Sequence, residues 1–397
     1  MKGSIRRLWT AGRALTESTG APAVRSHQRH GPPAARLQVS TFACDALADN
    51  EPQALGLTYW FETDPVRDPY RVRVRFSGRR VGVKGKPGRR DSFEIIETVE
   101  GVVPGSGPVA LTVRAQNVAP GQWNVMANAT TESGSDVPGQ LAKKRASRRL
   151  SNASSSGATA FAPLVRILAP GARLGAWPAL VGVGVGVALV VQQVLLRRAE
   201  LPATSVLVVS LIASVLGAAG AKVYYLVEHR DRRPPLLTAG MCIQGFVLVA
   251  IAALVAGTLL LGVPIGRVLD ATTPGLLFGM TVGRFGCFFG GCCVGRPSGS
   301  RWALWSSDRR LGVRRVPTQL FESAIALTVG VVALWAVWSG VSLGGTVFAA
   351  SIAAYIFGRQ LLFPLRDLPR HTAYGRRLTM VLAASVVAAA VAAGFVV

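Results

Sequence analysis

Four ionisable residues interrupt otherwise apolar stretches in the C-terminal half of the 397-residue chain: Arg284, Glu322, Arg359 and Arg366. A charge at membrane depth is costly and marks a site or a pathway. Arg284 lies in the run Gly279–Arg296, GMTVGRFGCFFGGCCVGR. So many glycines at a helix end make a close-packed turn in which backbone N–H groups could face a ligand. The competing account is a glycine-packed helix contact with Arg284 snorkelling to the interface. Glu322 follows Arg315-Val316-Pro317-Thr318-Gln319-Leu320-Phe321 at the start of a helix. It could pair with Arg284 or favour the helix N-terminus through the macrodipole. Arg359 comes after Tyr355-Ile356-Phe357-Gly358 near another helix end, where snorkelling again competes. Cys287, Cys292 and Cys293 fall within seven residues. The Cys-x-x-Cys spacing of most metal sites is absent, so no metal site and no cofactor is read from them. Small buried thiols, a disulfide, and soft-metal or thiol redox chemistry all remain open for this group.

The elements that must position these residues are apolar and long. The chain is 50% hydrophobic and only 16% charged, which argues against a wholly soluble protein. Runs at 174–196, 202–226, 236–263, 268–289, 316–338, 343–365 and 378–397 are each long enough, at roughly 20 residues, to cross a hydrocarbon core. The expected architecture is a membrane all-α domain of seven transmembrane helices over 173–397. Residues 37–130 read differently. Leu57–Phe61 is rich in β-branched and aromatic residues, and Tyr70–Phe76 alternates apolar residues with arginines at period two. Five or six short strands between Gly, Pro and Asp clusters predict a small all-β, immunoglobulin-like sandwich. The arginines at 71, 73 and 75 share one strand face, either a charged solvent face or a contact with anionic head groups. Residues 1–36, with six Arg and one Lys and no long apolar core, read as a disordered basic tail. The stretch 131–172, rich in Ser and Arg, reads as a solvated linker.

The formal net charge of +24 raises three partners: nucleic acid, a membrane surface, or a charged substrate. Residues 1–150 carry 23 Lys and Arg against 13 Asp and Glu, and residues 151–397 carry 21 against 7. The larger excess therefore sits in the apolar half. No groove-reading motif accompanies it, so nucleic acid is not expected as a partner.

In their order and spacing, the glycine-arginine segment, the Arg-x-Pro-Thr-Gln-Leu-Phe-Glu segment and the Tyr-x-x-x-Arg helix end resemble the prolipoprotein diacylglyceryl transferases. The resemblance covers roughly 174–397 and leaves the β region outside it. It implies a multi-pass enzyme of the cell (inner) membrane that moves a diacylglyceryl group from phosphatidylglycerol to a cysteine thiol of a lipoprotein precursor. By the same resemblance Arg284, Arg359, Glu322 and Tyr355 are the expected catalytic residues. Gly283, Gly286, Gly295, Gln319, Gln244, Arg296 and Arg315 are the expected substrate-binding ones. The segment Ala239–Gly245 looks like the family's Gly-Gly-x-Ser-x-His-Gly, with Gln244 at the histidine. Cys287 stands for the family's asparagine, Cys292 for a glutamate, Val316 for a second histidine, and Phe363 for a glutamate.

These departures bear on the chemistry. A thiolate must attack the glycerol carbon while phosphate leaves as a dianion, and two guanidinium forks suit that task. A base is needed to make the thiolate, and glutamine cannot serve. Glu322 is the obvious intramembrane carboxylate left, with Tyr355 able to assist. Anionic phospholipid binding without transfer, or a thiol- or metal-handling relative using the cysteines, stands as the alternative.

Overall fold

The computed structural model describes residues 35–40, 50–65, 68–132, 148–150, 152–163, 165, 169–230, 240–340, 344–367 and 374–396. The tail expected over 1–36 lies almost wholly outside them, as do 133–147, 151, 164 and 166–168 of the expected linker. Residues 34–397 form one compact unit.

The N-terminal region is a two-sheet β structure. One sheet joins β1 (Arg36–Ser40), β2 (Gln53–Glu62) and β5 (Pro108–Gln116). The other joins β3 (Tyr70–Arg80), β4 (Ser92–Val102) and β6 (Gln122–Glu132). Alternation decides which side of β3 is inward: Tyr70, Val72, Val74 and Phe76 are buried, while Arg73 and Arg75 are exposed between them. The inward residues meet Leu55, Leu57, Tyr59, Val113 and the fully buried Trp123 in one core. Burial pushes the Tyr59 hydroxyl up to about 12. On the outer face Arg75 pairs with Glu94 at 2.7 Å and Arg71 with Glu100 at 3.5 Å, so these arginines are met by glutamates of β4.

Two findings correct the expected boundaries of this region. First, part of the stretch expected as linker is sheet: β7 (Arg148–Arg149) and β8 (Ala153–Ala158) pair with β6, and β9 (Ala160–Phe161) pairs with β2. The three consecutive serines of β8 satisfy their backbone along β6, which composition alone does not reveal. Second, the membrane half contributes two strands. Residues between its fourth and fifth helices form a hairpin, β10 (Leu304–Ser307) and β11 (Leu311–Arg315). Strand β11 adds antiparallel to β5, with Leu311 opposite Leu111 and Gly312 opposite Ala110. Val313 thereby enters the core of the β region, and the edge of β5 is covered.

Among the described residues seven α-helices follow: α1 (Ala176–Arg198), α2 (Ala203–Glu228), α3 (Ile243–Leu260), α4 (Ile265–Gly290), α5 (Thr318–Trp338), α6 (Thr346–Leu362) and α7 (Gly375–Val396). Among the described residues six are long and apolar enough to cross a membrane. The seventh, α4, carries Arg267, Asp270 and Arg284 and is not one of them. Many outward residues are large and apolar, among them Val215, Leu248, Leu260 and Val331. Surface of that kind belongs in lipid. This is a multi-pass membrane protein.

Small residues set the helix contacts. An added Cβ on Gly279 of α4 would lie 2.6 Å from the Gly184 carbonyl oxygen of α1, so only glycine permits this approach. A buried carboxylate joins α4 to α6. Asp270 accepts hydrogen bonds from the backbone N–H groups of Gly345 at 2.7 Å and Phe348 at 2.8 Å. It thus caps a helix N-terminus from a neighbouring helix, satisfying donors that α6 cannot satisfy itself.

Candidate functional site

Four elements bring charge together at one end of the helices. Arg284 comes from α4, Glu322 from the first turns of α5, Tyr355 from α6, and Arg366 from just beyond the 3-10 turn Phe363–Leu365 that follows α6. Arg284 Nη2 lies 2.9 Å from Glu322 Oε2 and donates to the Tyr355 hydroxyl at 3.1 Å. Arg366 Nη1 lies 3.2 Å from Glu322 Oε1. Glu322 and Arg366 are only 2% and 4% exposed. These are contacts at ion-pair distance rather than aligned hydrogen bonds, since both Glu322 oxygens and Arg366 Nε lack a hydrogen-bond partner among the described residues. One buried carboxylate therefore holds two guanidinium groups, that of Arg284 partly buried and that of Arg366 buried, a charge excess of the kind an anion would complete.

The local sequence explains why these residues meet. Pro317 precedes α5 and ends the preceding extended segment, so Thr318, Gln319 and Glu322 fall in the first turns of the helix. Ser323 donates to the Thr281 carbonyl of α4 at 2.9 Å, locking the two helices one turn from Arg284. Arg284 turns inward to Glu322, whereas Arg359 makes no ion pair or hydrogen bond among the described residues. Arg366 occupies the second position against Glu322. Nothing in its short extended surroundings marks it out beyond its place in the apolar run.

The remaining expected residues are distributed as follows. Arg315 is 1% exposed and held through both terminal nitrogens: Nη1 donates to the Gly295 carbonyl at 3.1 Å and to Asp367 at 2.9 Å, and Nη2 donates to Asp308 at 2.8 Å, while Nε has no hydrogen-bond partner among the described residues. It ties the hairpin, the loop after α4 and the segment after α6. Arg296 Nε donates to the Arg366 carbonyl at 3.2 Å. Gly295 bridges to Arg366, and an added Cβ there would collide with the Val316 carbonyl. Gly286 packs on Trp177 and Leu180 of α1, while Gly283 has only Val181 nearby. Gln244 is exposed at the start of α3, where its Oε1 accepts from the Cys242 thiol at 2.7 Å.

The cysteines form a second group beside the first. The sulfur atoms of Cys287, Cys292 and Cys293 all lie within 4.8 Å of one another, and these thiols are free. Cys242, the residue just before α3, stands outside this group. The chain achieves the clustering by reversing at the end of α4. Gly291 takes a left-handed conformation at φ 68°, and the N–H groups of Gly291 and Cys292 both return to the Cys287 carbonyl. Only glycine serves there, since a Cβ would sit 2.8 Å from the Ser307 carbonyl oxygen. Cys293 is itself left-handed at φ 56°, an uncommon state for a non-glycine residue. Helix α5 holds this reversal: Gln319 Nε2 donates to the Cys292 carbonyl at 3.0 Å and Thr318 Oγ1 to the Cys293 carbonyl at 3.4 Å. The segment that supplies Glu322 thus also positions the thiols.

A family model described as prolipoprotein diacylglyceryl transferase matches residues 166–397. The phosphatidylglycerol–prolipoprotein diacylglyceryl transferase of Dehalococcoides mccartyi is 29% identical over 137 residues, 32% of this chain and 52% of the relative. That of Streptomyces avermitilis is 29% identical over 175 residues, 41% of this chain and 52% of the relative. That of Thermosynechococcus vestitus is 25% identical over 201 residues, 47% of this chain and 75% of the relative. The chain spans about half the length of the first two.

Proposed function

The chain belongs to the prolipoprotein diacylglyceryl transferase family, and from that premise we propose that it transfers a diacylglyceryl group from phosphatidylglycerol to a cysteine thiol of a lipoprotein precursor. On this reading all seven helices cross the cell (inner) membrane. The observation that carries it is the pair of guanidinium groups, the partly buried Arg284 and the buried Arg366, on opposite oxygens of Glu322. The lipid phosphate meets both arginines, and the unpartnered Arg366 Nε supplies a donor. Tyr355 fixes the direction of Arg284 through its hydroxyl.

In the transfer, the acceptor sulfur forms a bond to the terminal glycerol carbon as the carbon–oxygen bond to phosphate breaks. The electron pair leaves with glycerol phosphate, whose second negative charge develops between the two cations. Preorganised donors aimed at developing charge lower such barriers most. Arg359, Gln319, Arg296 and the glycines around 283–295 shape the pocket through their elements.

Labelled phosphatidylglycerol incubated with the full chain and a lipobox peptide in vesicles tests the reading. Transfer of label to the peptide by the wild type, lost in Arg284→Ala, is the expected result. A second reading, phospholipid binding without transfer, is favoured by Gln244 and Val316 standing where the family has histidines. Retention of phosphatidylglycerol vesicles without label transfer would favour that second reading.

A further inference from the structure

The transfer needs a thiolate, and the carboxylate nearest the pocket is occupied by two arginines. The three thiols beside it offer another way to make one. We propose that Cys287, Cys292 and Cys293 hold a zinc ion with an open fourth position, and that the acceptor thiol binds there as a thiolate. The inference rests on the transferase reading for its substrate, though not for the metal.

Three observations support it. The first is spacing in space rather than in sequence. Zinc–sulfur bonds of about 2.3 Å in a tetrahedron put sulfurs about 3.8 Å apart. The three sulfurs, within 4.8 Å, need close by no more than about 1 Å. The second is the construction of the loop. Two successive left-handed turns, at Gly291 and Cys293, and two donors from α5 are spent on keeping these thiols together. A non-glycine residue keeps such a conformation only where its surroundings enforce it. The third is that the group contains three ligands, with no fourth His, Cys, Asp or Glu among the described residues. Structural zinc sites are closed by four protein ligands, whereas catalytic sites keep three and leave one position open. Cys293 is exposed, so the open side can be reached.

The chemistry balances without an oxidant or a reductant. The acceptor thiol loses its proton to solvent on coordination, since a metal-bound thiol is deprotonated. Its sulfur then attacks the glycerol carbon, the carbon–oxygen bond breaks, and glycerol phosphate departs with the electron pair. The product is a neutral thioether, a poor zinc ligand, so it leaves and the open position returns.

The test uses the full chain in detergent, loaded with zinc and then dialysed against free metal. Metal analysis should find one zinc per wild-type chain and per Cys242→Ser chain, and none in Cys287→Ser or Cys292→Ser. Retention of phosphatidylglycerol vesicles by the serine variants would show that they fold. Cobalt substituted for zinc should give thiolate-to-metal absorption that shifts on adding a lipobox peptide, and not on adding its Cys→Ser analogue. A wild-type chain that binds no zinc overturns the site. Zinc binding with no response to the peptide thiol overturns the activation role. Zinc and peptide binding without label transfer leaves the site standing and overturns the transferase reading instead.

Discussion

Trp60 of β2 and Trp305 of β10 lie face to face, their ring centroids 5.5 Å apart and their planes 15° apart. The contact joins the N-terminal β region to a hairpin that belongs to the membrane half. The same hairpin carries Arg309, whose Nε donates to the Gly290 carbonyl at the end of α4. The β region is therefore fastened to the loop that holds the candidate site rather than tethered loosely before it.

Stacked aromatic pairs contribute about 0.5–1.5 kcal/mol beyond the area they bury. A double-mutant cycle of Trp60→Ala and Trp305→Ala, read by thermal unfolding, should return a coupling of about 1 kcal/mol. Additive single effects would mean the rings do not couple.

Replacing Glu322 by Gln leaves Arg284 and Arg366 buried without their anion. Loss of one partner of a buried pair costs about 3–5 kcal/mol. Glu322→Gln should therefore unfold at lower temperature, and phosphatidylglycerol vesicles should restore more of its stability than they add to the wild type. Equal stabilisation of both proteins would count against phosphate binding at the arginines.

Arg315 is the test of a structural arginine. Its guanidinium joins Asp308, Asp367 and the Gly295 carbonyl, and charged hydrogen bonds of this kind contribute about 1.5–3 kcal/mol each to stability. Arg315→Met should lower the unfolding temperature of the membrane half, measured by its helical circular dichroism. An unchanged unfolding temperature with lost vesicle binding would instead assign Arg315 to the head group.

Asp270 caps α6 from α4. Loss of a capping side chain costs about 1–2 kcal/mol. Asp270→Ala should destabilise by at least that amount, and hydrogen exchange should rise at Gly345 and Phe348 before other α6 amides. Uniform exchange along α6 would refute the capping role.

Asp91 carries a pH dependence in the β region. The Gly88 N–H, followed by Arg80, holds its carboxyl below the usual 3.8. A carboxyl lowered on folding stabilises the fold above its unfolded value, and the gain fades as pH falls through the lower folded one. Wild type and Asp91→Asn should therefore differ in unfolding temperature near neutral pH and converge in strong acid. A difference that grows on acidification would reverse the assignment.

Legibility varied by element. Strand β3 was plain because alternation of arginine with valine and phenylalanine marks a half-buried strand without reference to any partner. The apolar runs were equally plain, since crossing a bilayer requires length and hydrophobicity that few other structures need. The hairpin was not legible. Residues 304–315 have no strong alternation, and their strands exist because β5 offers an open edge. The serines of β8 read as linker because their strand exists only through its pairing with β6. Arg366 was visible as a charge in an apolar run, yet its pairing with Glu322 depends on a 3-10 turn bringing the chain back after α6.

Composition and periodicity by themselves determined a multi-pass helical domain behind a β region, because hydropathy and strand alternation are local properties. The motifs by themselves pointed to the family and to Arg284, Glu322 and Tyr355, which the fold brings together. Tertiary structure decided which arginines share Glu322, that β11 completes the N-terminal sheet, and that three thiols without metal-site spacing converge. Those outcomes are contacts between residues far apart in the chain, or reversals set by φ at Gly291 and Cys293. Neither is written in local pattern.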